Sequence, residues 1–299
     1  MTYTAPSLRR VEMKFMIDAA LSEQVRQWAI DRLGVDENCA GDGSNSYDIN
    51  TLYLDTPESD MYYQTGVIGK AKHRVRRYGR DQMLVLETKR KKKMVVRKNR
   101  TAVFESDFMA RAANPMQPKI ACEPNADDAD LWCGDWFINR IADRRLTPAI
   151  QIAYRRFART TTVNDENLRL TIDSNMAACA PNGWNVATPR HDASSALNRG
   201  FRSIGDFEIL ELKFQNQMPT IFKELLSSFP IPGTKFSKFR TGMEQKLTGV
   251  NRSHVDTGPI TEPQITEPRA AGPHVEGPHA GVAMPSFNQG HRTEHMTNA

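Results

Sequence analysis

Four cysteines in 299 residues, 8% aromatic residues and no long apolar run define what this sequence has little of. The cysteines stand at Cys39, Cys122, Cys133 and Cys179, with no Cys-x-x-Cys pair and no histidine at zinc-finger distance. A disulfide framework and a structural zinc site are therefore not expected. Reduced thiols in a cytoplasmic protein are the expectation. No uninterrupted apolar stretch approaches the ~18–20 residues that cross a bilayer. Residues 1–10 carry no apolar h-region, so neither a transmembrane segment nor a secretory signal is expected. With 18 glycines and 17 prolines the chain is not collagen-like, and 39% apolar residues exclude a wholly disordered one.

Positive charge is present and unevenly placed. The whole chain has 40 Lys and Arg against 35 Asp and Glu, a formal +5. Between Lys70 and Arg100 stand 14 Lys or Arg and two acids, Asp81 and Glu87, so this segment is +12 and the remainder −7. Such a segment meets a strong anion or faces acids elsewhere in the fold. It contains one aromatic residue, Tyr78, too few for stacking bases, so no nucleic acid is expected as partner.

The chain divides at about residue 248. From 249 to 299 come six prolines, six glycines and five of the seven histidines without apolar periodicity. This reads as a disordered tail. Residues 1–248 read mainly as strands, at 8–18, 49–55, 70–79, 83–91, 94–104, 149–158, 168–173 and 207–214. Helices are expected at 21–33, with Asp18 or Ser22 near its start, and at 220–228. Loops are expected at 113–130 and 180–199. Many strands with few crossover helices imply an α+β protein built on an antiparallel sheet, open or closed into a barrel.

Glu-x-Lys recurs in three strands: Glu12-Met-Lys14, Glu87-Thr-Lys89 and Glu211-Leu-Lys213. Side chains two apart share a strand face, so each Glu stands beside its Lys. Lys72, Arg74 and Arg76 share another face, as do Lys98 and Arg100. Charged faces ordinarily turn to water. At least five strands carry this one, however. In a barrel those faces can line the lumen while the apolar faces meet outer helices. A lumen of Lys and Arg repels itself when empty and calls for a polyanion. Interspersed glutamates suit a divalent cation. Basic residues with a metal-holding carboxylate are the equipment of phosphoryl transfer.

Nine short segments carry a family resemblance. Arg10-Val-Glu-Met-Lys14, Leu52-Tyr-Leu-Asp-Thr56, Lys72-His-Arg-Val-Arg-Arg-Tyr-Gly79 and Leu86-Glu-Thr-Lys89 come first. Lys98-Asn-Arg100, Tyr154-Arg-Arg156, Leu170-Thr-Ile-Asp173, Leu210-Glu-Leu-Lys-Phe214 and Phe236-Ser-Lys-Phe239 complete the order. Together, over about residues 8–245, they resemble the VTC domain, the polyphosphate polymerase domain of the vacuolar transporter chaperone complex. That family belongs to the triphosphate tunnel metalloenzymes, with the CYTH domains.

The resemblance implies an antiparallel barrel forming a basic tunnel, with helices packed outside. It implies phosphate contacts from Lys14, Arg74, Arg76, Lys89, Lys98, Arg100, Arg156 and Lys238. Glu211 would hold Mn2+ or Mg2+, with Glu12 or Glu87, and Lys213 would stand beside them. The implied reaction moves the γ-phosphate of ATP onto a growing polyphosphate chain. Arg10 occupies a position where hydrolytic CYTH relatives carry a further Glu, which favours the polymerase branch. An inorganic tripolyphosphatase and a non-catalytic polyphosphate-binding module are the alternatives. No transmembrane helices are expected after the domain, and no helical sensing domain before it; a membrane protein is a conceivable partner. Arg90-Lys-Lys-Lys93 reads as a solvated hairpin turn at the tunnel mouth.

Overall fold

The computed structural model describes residues 10–39, 43, 45–66, 71–92, 95–115, 132–188 and 200–248. The expected tail at 249–299 and Cys122 lie outside them, as do the side chains of 91–97.

The elements run β1 (Arg10–Ile17), α1 (Ala19–Arg32), β2 (Gly34–Val35), β3 (Ser46–Asp55), α2 (Asp60–Tyr63) and β4 (Ala71–Tyr78). They continue with β5 (Met83–Lys92), β6 (Val95–Phe104), α3 (Glu105–Ala112), α4 (Asp135–Arg144), β7 (Thr147–Val163) and β8 (Glu166–Cys179). β9 (Arg202–Ser203), β10 (Glu208–Gln215), α5 (Thr220–Ser228) and α6 (Lys238–Thr248) close the series. Every strand pairing is antiparallel, and the main sheet runs β1-β10-β8-β7-β3-β4-β5-β6. It is curled but not closed by hydrogen bonds, because β1 and β6 remain its two edges. The β1 edge is covered: Gly233 bridges Phe15, and Thr234 N–H donates to the Lys14 carbonyl at 2.7 Å. An edge so occupied cannot template pairing with another chain.

Alternation decides the two sides of this sheet. On the outer side Phe15, Leu170, Ile172, Leu210, Leu212 and Phe214 are buried against Val25, Trp28 and Ala29 of α1 and Phe222 and Leu225 of α5. Asp18 starts α1 by accepting the Leu21 N–H at 2.8 Å, as its position in the sequence predicts. Phe108 of α3 and Phe137, Ile138 and Ile141 of α4 join the core with Leu84 and Leu86 of β5. Asp55 folds the following turn, accepting backbone N–H groups from Thr56, Met61 and Tyr62 at 2.8, 2.7 and 3.0 Å.

α6 behaves differently from the outer helices. Phe239 packs on Tyr53 with ring centroids 5.2 Å apart and planes tilted by 44°. A Cβ on Gly242 would stand 2.9 Å from Ile152 Cδ1 and 3.1 Å from Ile150 Cδ1. Ile150 pairs with Tyr53, and Ile152 with Thr51, so they share the face that carries the basic residues. α6 therefore lies against the inner face of the curl. Its sequence hides this, since Phe239 and Met243 are its only buried apolar side chains. The short helix α2 and the helices α3 and α4 are likewise additional to the two expected helices. Residues 116–130 of the loop expected at 113–130 lie outside the described residues, as do 189–199 of the one expected at 180–199. β7 and β8 extend beyond their expected limits of 149–158 and 168–173. Of the basic run expected as a hairpin turn at 90–93, Arg90, Lys91 and Lys92 instead end β5, paired with Arg97, Val96 and Val95, and Lys93 lies outside the described residues.

Candidate functional site

Cross-strand partners share a sheet face, so the register locates every candidate residue. Glu12 pairs with Lys213, and Lys14 with Glu211. Glu211 pairs with Thr171, and Asp173 with Arg156. Arg156 pairs with Tyr47, and Tyr53 with Arg74. Arg74 pairs with Glu87, Glu87 with Arg100, and Lys89 with both Lys72 and Lys98. The eleven strand residues of the candidate set thus occupy one continuous inner face. Lys238 reaches the same space from the start of α6, its ammonium 4.8 Å from the Tyr154 ring centroid.

Three clusters of charge line this face. In the first, Lys14 is ion-paired to both Glu12 and Glu211, and Lys213 is ion-paired to Glu211. Lys89 reaches Glu12 at 3.2 Å, joining β1 to β5 across the open seam. Burial opposes charge on both glutamates. Lys213, Lys14 and Arg156 nevertheless hold Glu211 well below the carboxylate range. For Glu12, burial and Glu211 are outweighed by Lys14, Lys89 and Lys213, and the pKa is again lowered. Burial and Arg156 bring Lys213 down to about 8 despite Glu211.

Glu87 centres the second cluster and has no exposed surface. Arg74 is hydrogen-bonded to it, Lys98 lies at 3.2 Å and Arg76 at 3.7 Å. Burial raises its pKa, but Arg74, Arg76 and Lys98 overcome this and hold it at about 2. The third cluster is built on Asp173, also without exposed surface. It accepts from Arg156 Nε at 2.6 Å, Arg156 Nη2 at 2.7 Å and Lys238 Nζ at 2.5 Å.

Asp173 belongs to one of the segments of the resemblance but not to the expected set of site residues. Lys72, on the expected basic face but outside the expected set of site residues, donates to Ser237 Oγ at 2.8 Å. Arg169, beside Lys213, donates to Asp36 at 2.6 Å and to Tyr47 OH at 2.9 Å. Tyr53 enters the face from β3, and Tyr154 from β7, beside Arg156. Burial raises the phenol of Tyr53, but Arg74, Arg76, Lys72 and Lys238 bring it down to about 8.

Among the described residues, and leaving aside Arg169, whose partner is Asp36, ten cationic side chains on this face (Lys14, Lys72, Arg74, Arg76, Lys89, Lys98, Arg100, Arg156, Lys213 and Lys238) face four carboxylates, Glu12, Glu87, Asp173 and Glu211. Several polar groups on the face are buried without a hydrogen-bond partner: Thr51 Oγ1, Arg74 Nε, Arg76 Nε, Tyr154 OH and Thr171 Oγ1. Buried donors left unpaired are costly, and a ligand rich in acceptor oxygens would satisfy them.

The fit for a cation can be judged from the donors. Among the described residues no group of three or more His, Cys, Asp or Glu side chains gathers to hold a metal ion. Glu12 and Glu211, joined through Lys14, are two ionised carboxylates on adjacent strands. Two carboxylates plus phosphate oxygens suit Mg2+ or Mn2+, which rarely occupy an all-protein cage. Glu87 is already engaged by three cations.

Among the described residues, no helix is long and apolar enough to cross a membrane, and Cys39, Cys133 and Cys179 are free thiols.

Comparison with known proteins adds a sequence match and a set of structural likenesses. The family model described as the VTC domain matches residues 9–247. No curated protein matches the chain. A protein of Bacillus halodurans provisionally named an adenylate cyclase is similar in structure, at 11% identity over 77% of this chain and 95% of that one, with a TM-score of 0.40. A Hippeastrum protein provisionally named an adenylyl cyclase, described as having a dominant triphosphatase activity, aligns at 14% identity over 79% of this chain and 95% of that one, TM-score 0.40. A third, from Vibrio parahaemolyticus, aligns at 9% identity over 78% and 96%, TM-score 0.37.

Proposed function

The chain belongs to the VTC domain family, and from that premise we propose that its basic inner face binds a linear phosphate chain and transfers the γ-phosphate of ATP onto it. The observation that carries this reading is the excess of ten cations over four carboxylates on one inner face, with unpaired buried donors among them. A long polyanion with oxygens on every side matches both.

In this reading Arg74, Arg76, Lys98 and Arg100 hold one stretch of the chain, with Glu87 fixing the two guanidinium groups and the Lys98 ammonium. Arg156, Lys238 and Lys72 hold another, and Lys14, Lys89 and Lys213 gather at the carboxylate pair. Glu211 and Glu12 are the residues to hold a divalent ion. Such an ion would neutralise charge building on the phosphate oxygens. The terminal oxygen of the chain attacks the γ-phosphorus and the bond to the β-phosphate oxygen breaks. The chain lengthens by one phosphate and ADP departs. The attacking oxygen is already ionised, so no protein nucleophile or base is required. The work of the protein is alignment and charge neutralisation.

The test is incubation of the purified chain with ATP and Mn2+ or Mg2+, followed by gel analysis for polyphosphate. Chain growth that is lost in Arg74→Ala and Glu211→Ala is expected. Orthophosphate release from tripolyphosphate without polymer would identify a tripolyphosphatase. Tight, salt-sensitive polyphosphate binding without turnover would identify a binding module.

A further inference from the structure

Asp173 holds together two parts of the molecule that the strand register alone does not join. Its pairing with Arg156 is local, since β7 and β8 are neighbours and the two residues stand opposite each other. Lys238 comes from α6, 65 residues further on, and closes on Asp173 Oδ2 at 2.5 Å. The same oxygen accepts Arg156 Nη2, and Oδ1 accepts Nε, so the carboxylate is bound along one edge of the guanidinium. That edge is used in holding Arg156 in place. The opposite edge is turned away from the carboxylate.

One carboxylate between two cations leaves the trio with a net positive charge. None of its charge is easily given to water, because Asp173 is fully buried and the Arg156 and Lys238 side chains are 9% and 12% exposed. A buried cation without a counter-charge is strongly unfavourable. Asp173 therefore keeps the first residue of α6 seated against the inner wall when no anion is present.

We infer that Asp173 is a positioning residue that aims Arg156 and Lys238 at a phosphate chain, so that occupancy of the tunnel and docking of α6 are coupled. This rests on the phosphate reading of the site given above. Asp173 itself touches no substrate. Removing its charge leaves Arg156 and Lys238 repelling each other, and the helix end is then the mobile partner. A bound phosphate chain supplies the missing negative charge and reseats it.

Hydrogen exchange on the full chain tests this, with and without tripolyphosphate and with no metal added, comparing wild type, Asp173→Asn and Lys238→Met. Without ligand, the α6 amides of Asp173→Asn are expected to exchange at least about tenfold faster than in wild type, by local opening. Tripolyphosphate is expected to restore most of that protection. Lys238→Met is expected to loosen α6 as well but to gain little from the ligand, since the cation that would meet the phosphate is gone. Equal α6 exchange in unliganded wild type and Asp173→Asn would overturn the inference. So would a loosened helix that tripolyphosphate fails to restore although the wild type binds it. If Asp173→Asn does not fold, unchanged α6 exchange in Lys238→Met overturns it instead. A wild type that binds no tripolyphosphate would sink the phosphate reading and the coupling, while the unliganded comparison still decides whether Asp173 docks the helix.

Discussion

Glu12 on β1 and Lys89 on β5 approach to 3.2 Å although their strands share no hydrogen bond. They lie near opposite ends of the sheet order, so this contact spans the seam that backbone pairing leaves open. The curl is therefore held across its seam partly by side-chain charge. Both partners are about one-third exposed, which limits what the pair contributes to stability.

Glu12→Gln should consequently lower stability by less than about 1 kcal/mol. Its larger effect is expected on metal-dependent turnover, because the substitution also removes one of the paired carboxylates. Urea unfolding measures the first and phosphate transfer across a Mg2+ titration the second. A large stability loss with unchanged metal dependence would show that Glu12 serves only the seam.

Glu87→Gln should be far more damaging to the fold. It strips the fully buried counter-charge from the mostly buried Arg74 and Arg76 and from the half-exposed Lys98, a loss of about 3–5 kcal/mol by denaturant unfolding, carried by the two guanidinium groups. The pH dependence has a definite sign. The folded carboxyl is held at about 2, below its ordinary 4.5. Its stabilising contribution is complete above about 4.5 and disappears as pH falls towards 2. Glu211 and Asp173 are lowered too and steepen the same acid arm. The variant should lose less stability than wild type across that range.

Lys213 sets an alkaline limit. Burial and Arg156 bring its ammonium down to about 8, so the inner face loses a positive charge as pH passes that value. Tripolyphosphate affinity should fall above about pH 8, and Lys213→Arg should flatten the fall. Tyr53 is also brought to about 8, and its phenolate would repel phosphate in the same range, so Tyr53→Phe belongs in the comparison. Stability moves the other way. Between about 8 and the ordinary 10.5 the unfolded chain binds more protons at Lys213, so this group's contribution rises with pH. Calorimetric binding and thermal unfolding over pH 7 to 10 separate the two.

Gly242→Val should dislodge α6. The first added carbon already meets Ile152 Cδ1 at 2.9 Å, and branching adds bulk where the helix touches the inner wall. A stability loss of about 1–3 kcal/mol is expected from overpacking. Gly242→Ala should be close to neutral. The contacted atoms are the far ends of two isoleucines that can yield, and alanine gains about 1 kcal/mol of helix propensity. Melting temperatures of the two variants check this.

Much of the site was legible because a strand exposes its logic in one dimension. Glu-x-Lys at residues 12–14, 87–89 and 211–213 showed which side chains share a face, and the basic alternation of β4 showed a second stretch of it. The eleven strand candidates do lie on one face of the sheet. Less legible were the residues whose importance depends on neighbours. Tyr53 and Tyr154 lie within two of the quoted segments, but they join the candidate site only because β3 and β7 stand between β4 and β8. α6 has two buried apolar side chains and a glycine in its middle, so its periodicity is faint; its position depends on the wall it fits.

The sequence by itself determined the alternation of charged and apolar positions, the asymmetry of charge along the chain and the ordered motifs of the family. These are local properties, and a period of two reads them directly. Only the tertiary structure decided which carboxylate answers which cation. Glu87 takes Arg74, Arg76 and Lys98, whereas Asp173 takes Arg156 and Lys238. It also decided that the sheet curls without closing, and that one helix enters the curl while others cover its outside. Those outcomes depend on sheet register and on excluded volume between segments far apart in the chain, which no local pattern encodes.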